Sequence, residues 1–121
     1  MIKLQQFTFV CAPHPVQWAG LAALEIDVSE HVDDYRRKRN RLVERLAPHF
    51  RIGGGAGAFY LFLESPRGSG IDFVERAIQR GLLIIPGNVF SDRDTHIRVS
   101  FAVDDETLET GADLLIELAG Q

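Results

Sequence analysis

Cysteine, methionine and tryptophan occur once each in the 121 residues, and lysine only twice, at Lys3 and Lys38. The single thiol, Cys11, excludes an internal disulfide and suits a reducing compartment. It lacks basic neighbours to activate it, so it reads as a buried structural thiol. No apolar run approaches the roughly 20 residues that a membrane-spanning helix needs. The N-terminal MIKLQQFTFV lacks the apolar stretch and cleavage site of a signal peptide, so a cytoplasmic protein is expected. Positive charge is also short. The formal net charge is −4, and no global basic field draws in nucleic acid. Histidines 14, 31, 49 and 96 are scattered, none at ligand spacing from another or from cysteine, so no metal site is expected.

What is present is an ordinary globular composition, 45% hydrophobic and 25% charged. A chain of this length buries roughly two thirds of its unfolded surface, enough for one core. MIKLQQFTFVCA reads as extended and apolar. Residues 16–26, VQWAGLAALEI, read as a helix that is apolar almost all round and therefore buried. Asp27 and Glu30 look like a capping box, followed by a stripe of Val28, Val32, Tyr35, Leu42 and Leu46 that Pro48 ends. AFYLFLE is an aromatic-rich strand. Ser69, with Asp72 three residues on, caps a helix with apolar positions Ile71, Val74, Ala77 and Ile78, and Gly81 closes it. LLIIP reads as a short buried strand and HIRVSFA as a third strand. Asp104 opens a last helix whose face is Leu108, Ala112, Leu115 and Ala119. The predicted fold class is α+β: a small antiparallel or mixed sheet of about three strands packed with helices.

Several motifs invite chemistry. RIGGGAGA contains a G-x-G-x-x-A pattern at Gly53, Gly55 and Ala58, but a strand follows it where a dinucleotide fold needs a helix, so it reads as a turn. YRRKRNR, residues 35–41, is the one basic cluster. Without further bases or exposed aromatics it reads as a solvated helix face, not a nucleic-acid surface. Arg39 differs: it falls on the apolar stripe and must snorkel or meet a carboxylate. Arg98 raises the sharper question, because it interrupts the apolar strand HIRVSFA. Strand alternation puts Ile97, Val99 and Phe101 on one face and Arg98, Ser100 and Ala102 on the other. That second face is either simply solvated or, given its small residues, a pocket in which a guanidinium meets a carboxylate in two parallel hydrogen bonds. PGNVFS, residues 86–91, lies beside Arg98 as a possible wall.

Five stretches taken in order, QQFTFVCAPHPVQWAGLAAL, YRRKRNRLVERL, GAFYLF, FVERAIQRGLLIIPGNVFS and IRVSFAVDDETLETGADLL, resemble the C-terminal portion of fold-type I, pyridoxal-phosphate-dependent aminotransferases of the aspartate aminotransferase kind. The resemblance implies a lead-in over residues 1–26 and a small C-terminal domain over 27–121. It implies that Arg98 binds the substrate α-carboxylate and that Phe90 lies near the substrate, whereas QQFTFV would approach a neighbouring subunit. Gly55 stands where a proline is common, Asn40 where an acid is usual, and His14 where a small residue is expected.

The same resemblance shows what this segment does not supply. A Schiff-base lysine in its S-x-x-K type context, the acid for the pyridine nitrogen and the phosphate cup all belong upstream in the family. The expectation is therefore a segment that contributes Arg98 to an enzyme exchanging amino groups between an amino acid and a 2-oxo acid. The missing large domain would bind pyridoxal 5'-phosphate, and this chain alone would bind none and be inactive. A homodimer is implied, with no nucleic-acid or membrane partner. A free-standing module that binds a carboxylate is the alternative.

Overall fold

A computed structural model describes residues 1–53 and 56–121, so Gly55 of the glycine pattern lies outside the described residues. The chain forms two compact units, Met1–Glu30 and His31–Gln121. The first contains α1 (Ile2–Thr8) and α2 (His14–Ala23). The segment expected to be extended is thus helical at its start. Local hydrogen bonds satisfy its backbone: Gln5 N–H donates to the Met1 carbonyl and Thr8 Oγ1 to that of Leu4. Helix α2 begins earlier than the expected residue 16, because Pro15 falls in the first turn, where a missing N–H costs nothing. Neither helix has a buried residue, against the expectation for residues 16–26, and Cys11 is exposed. Two short helices hold too few apolar side chains to make a core by themselves.

The second unit takes in all but the first two residues of α3 (Ser29–Leu46) and continues through β1 (Ile52–Gly53), β2 (Tyr60–Glu64), α4 (Gly70–Gln79), β3 (Ile85–Pro86), a 3-10 turn (Gly87–Val89) and β4 (His96–Ser100) to α5 (Asp105–Gly120). The four strands are antiparallel in the order β1-β2-β4-β3. This is the expected α+β class, with β1 as an additional strand of two residues. The strand expected over LLIIP shrinks to Ile85–Pro86, and it is not buried: Leu83 is 84% exposed.

One sheet face carries the core. Leu61 and Leu63 of β2 and Ile97 and Val99 of β4 point into it. They meet Leu42 and Leu46 of α3, Phe73, Val74 and Ala77 of α4, and Leu108, Ala112, Leu115 and Leu118 of α5. The stripe of α3 is therefore buried only at its C-terminal end, and Val28, Val32 and Tyr35 remain exposed. On α4 the predicted face is rotated: Phe73 is fully buried, whereas Ile71 is 39% and Ile78 51% exposed. On α5 the buried position is Leu118, with Ala119 half-buried beside it.

The helix ends obey short-range chemistry. Ser69 Oγ accepts from the Asp72 N–H at 3.0 Å, and Asp94 Oδ1 accepts from the Ile71 N–H at 3.0 Å, so two N-terminal donors of α4 are satisfied. Gly81 takes φ +79° after α4, the left-handed conformation that glycine adopts without a Cβ clash. Asp104 accepts from the Thr107 N–H at 2.8 Å and from its hydroxyl at 2.9 Å, and these bonds hold its carboxyl below the usual range. Asp27 receives the Ser29 hydroxyl and N–H, which lower its pKa, and this Ser29 contact takes the place of the expected box with Glu30.

The basic run of α3 lies along α5. Arg37 pairs with Asp105 at 3.1 Å, Arg41 with Glu109 at 2.5 Å, and Arg45 with Glu109 at 2.6 Å and with Asp113. Cations at 37, 41 and 45 and acids at 105, 109 and 113 both recur every four residues, so each helix presents one charged edge to the other. Asp113 and Glu109 raise the pKa of Arg45, and Asp105 and Asp34 raise that of Arg37. The run is a solvated helix face, as expected from the sequence, with Arg36, Arg37 and Arg41 exposed, and it also forms an ion-pair seam with α5. Arg39 finds no carboxylate among the described residues and donates to the Ala56 carbonyl at 2.9 Å and to Asn40 Oδ1.

Two consequences are measurable by denaturation. Phe73→Ala removes a fully buried ring and is expected to cost about 3–5 kcal/mol, whereas Ile71→Ala costs less than about 1 kcal/mol; equal costs would mean the face of α4 is misassigned. The folded pKa of Asp104 lies below its ordinary value of 3.8, so its contribution is complete above that value and is lost as pH falls through the lower folded one. The thermal midpoint of the wild type relative to Asp104→Asn should therefore fall on acidification below this range. A difference independent of pH would remove the carboxylate from the account.

Candidate functional site

The sheet face away from the core is set by register. Arg98 on the central strand β4 lies opposite Phe62 of β2 and Ile85 of β3, and Ser100 lies opposite Tyr60. Directly opposed residues share a face, so Tyr60, Phe62, Ile85, Arg98 and Ser100 stand together on the side that the helices do not cover. Along this face Phe62 stacks on His96 with ring centroids 4.8 Å apart and an interplanar angle of 6°; the ring of Phe59, which precedes β2, has its centroid 4.3 Å from that of Tyr60. His96 Nδ1 is 2.8 Å from Thr95 Oγ1.

The guanidinium of Arg98 is held by aromatic rings. Its central carbon lies over Tyr60 at 4.1 Å from the centroid and over Phe90 at 4.2 Å. Tyr60 comes from β2 on one flank of β4, and Phe90 follows the 3-10 turn after β3 on the other. Such contacts attract the cation through the ring quadrupole and occupy none of its N–H donors. No acid among the described residues forms an ion pair with Arg98, in contrast to Arg37, Arg41 and Arg45. Among the described residues nothing hydrogen-bonds the planar fork of donors on this half-buried cation, an arrangement suited to a carboxylate.

Phe90 depends on a close backbone passage. The Phe90 and Ser91 N–H groups both donate to the Gly87 carbonyl, at 2.9 and 3.1 Å, which closes the turn. A Cβ on Gly87 would lie 2.7 Å from the His96 carbonyl oxygen, so only glycine lets this turn lie against the start of β4. Gly70 is confined in the same way: its Cβ would be 2.3 Å from that same oxygen.

Of the residues singled out from the sequence, Arg98 and Phe90 come together, and Tyr60 joins them. Tyr60 was legible as part of an aromatic strand but not as a partner of Arg98, because that proximity follows from the pairing of β2 with β4. Lys38 does not join them. Its ammonium donates to the Val103 carbonyl at 2.8 Å and lies 3.1 Å from Asp34 Oδ2. Lys3 belongs to α1 in the other unit. A carboxylate and a carbonyl both engage the Lys38 amine, which makes it a poor fit to covalent attachment of an aldehyde cofactor. Nor do three metal-ligating side chains gather anywhere among the described residues. No helix among the described residues is long and apolar enough to cross a membrane.

No family model matches the chain. Individual proteins do. It is 30% identical over 98% of its length to the probable aspartate aminotransferase of Methanocaldococcus jannaschii, and 36% identical over 83% of its length to the aspartate aminotransferase of Thermococcus kodakarensis, covering 33% and 29% of those proteins. Its fold superposes on the crystal structure of aspartate aminotransferase from Thermotoga maritima with a TM-score of 0.87 and 32% identity, over 98% of this chain and 32% of that one. The chain spans about a third of the length of the curated relatives it matches, and the match lies in their C-terminal part. The α+β unit has a fold that matches the small domain of fold-type I aminotransferases. More narrowly, the chain belongs, as a C-terminal segment, to the aspartate aminotransferase-like members of that family.

The placement of Phe90 by Gly87 has a direct check. Gly87→Ala should destabilise the chain by about 1–3 kcal/mol through overpacking. Gly111→Ala, where the new methyl meets only Leu82 Cδ1 at 3.7 Å inside a helix, should be neutral or stabilising. Equal responses in urea unfolding would refute the close passage at Gly87.

Proposed function

We propose that this segment supplies the substrate-carboxylate arm of an aminotransferase that exchanges an amino group between an amino acid and a 2-oxo acid. The observation that carries the proposal is the Arg98 guanidinium, held over Tyr60 and Phe90 with its donors unpaired by any described acid. A carboxylate presents two oxygens in one plane, and the Arg98 fork meets both. A lysine would offer a point charge without that geometry. Phe90 then forms the apolar wall beside the bound substrate.

Pyridoxal 5'-phosphate, when bound to a large domain of the kind the relatives carry beyond this segment, supplies the electron sink for amino transfer. The part of this chain is to bind and orient the substrate carboxylate through Arg98 and to move as a small domain that excludes water. The apolar side chains exposed in residues 1–30, among them Phe7, Trp18 and Leu21, would be covered by that large domain and by a second copy in a cytoplasmic homodimer.

In an intact aminotransferase polypeptide carrying this segment, Arg98→Lys should lower kcat/KM for amino acids about 10- to 100-fold, with cofactor absorbance unchanged. An unaltered kcat/KM would overturn the assignment. The 121-residue chain alone, treated with pyridoxal 5'-phosphate and borohydride, should yield no stoichiometric adduct at Lys3 or Lys38; such an adduct at Lys38 would make this chain a cofactor-binding module instead.

A further inference from the structure

We propose that Tyr60 and Phe90 act as positioning residues that clamp the Arg98 guanidinium in its carboxylate-accepting orientation before any ligand arrives, an inference that rests on the reading of Arg98 given above. An arginine side chain has many rotamers to lose, and on an uncovered sheet face nothing in the strand itself restrains its outer torsions. Restraint by a carboxylate would occupy the donors that a ligand needs. Here the restraint comes from rings on the two flanking elements, with the central carbon 4.1 Å from one centroid and 4.2 Å from the other.

Both rings are themselves braced. Tyr60 lies at 4.3 Å and 44° from Phe59, which contacts Tyr35 of α3 at 6.3 Å. Phe90 is fixed by the turn that Gly87 permits. The clamp therefore links Arg98 to β2 and to the turn after β3 and leaves its N–H edge to the ligand. Ordering the cation in advance removes that cost from binding. The Tyr60 hydroxyl has no part in this, because the attraction lies in the ring face.

The test uses the full 121-residue chain labelled at arginine and followed by nuclear magnetic resonance, with Tyr60→Phe, Tyr60→Leu and Phe90→Leu as variants and the backbone amide spectrum as the control for folding. The Arg98 side-chain protons of the wild type should be shifted upfield by the two ring currents. Tyr60→Phe should preserve the shift, and each leucine variant should remove a large part of it. Titration with L-aspartate should move the Arg98 Nε–H signal, with half-saturation about threefold to tenfold higher in the leucine variants than in the wild type or Tyr60→Phe. An Arg98 resonance that is not ring-shifted, or is unchanged in both leucine variants, overturns the clamp. A ring-shifted Arg98 that ignores L-aspartate and other carboxylates leaves the clamp standing as a structural contact and instead overturns the carboxylate reading. Equal half-saturation in all four chains overturns the positioning role even where the ring shift is present.

Discussion

Ile97 and Val99 bury themselves against three helices, and that burial obliges Arg98 to face the other way. The side-chain period of a strand is two, so Arg98 cannot enter the core unless both its neighbours leave it. Moving β4 by one residue would expose both aliphatic side chains and bury a guanidinium, at a cost no domain of this size withstands. The direction of the cation is therefore enforced by hydrophobic burial on the opposite face, and the proposed carboxylate role inherits that certainty of placement.

The rest of the domain keeps that outer face clear. The core-forming segments of α3, α4 and α5 all pack on the inner face, and the acidic edge of α5 engages the cations of α3 along a regular four-residue ladder. At the start of β4, Gly70 and Gly87 bring the first turn of α4 and the turn before Phe90 against the same His96 carbonyl. Three elements thus converge on one peptide unit two residues before Arg98, so the strand carrying the cation is fixed at its entry as well as along its length.

What the sequence revealed was local. The caps at Ser69 and Asp104, the left-handed Gly81 and the alternation of β4 are patterns confined to a few residues, and each is determined by steric or hydrogen-bonding rules over that span. Arg98 was visible because a charge in an apolar strand breaks such a pattern. Phe90 was reached only through family resemblance, and Tyr60 escaped as a partner because its nearness to Arg98 is a matter of register between strands distant in sequence. β1, at two residues with a glycine, lies below any periodic signal. On α4 the face read from the sequence included Ile71 and Ile78, and packing buries Phe73 in their place. The lead-in misled for a different reason: its apolar side chains suggested burial, yet no residue in that unit is buried.

Neutral rings hold a cation without cancelling it. The arginines of α3 that face α5 form local dipoles with their acids, whose fields decay quickly with distance, whereas Arg98 rests on hydrocarbon and retains a monopole. Salt screens that potential within about 10 Å, so the contacts that orient the fork leave its charge felt a short way beyond hydrogen-bond range.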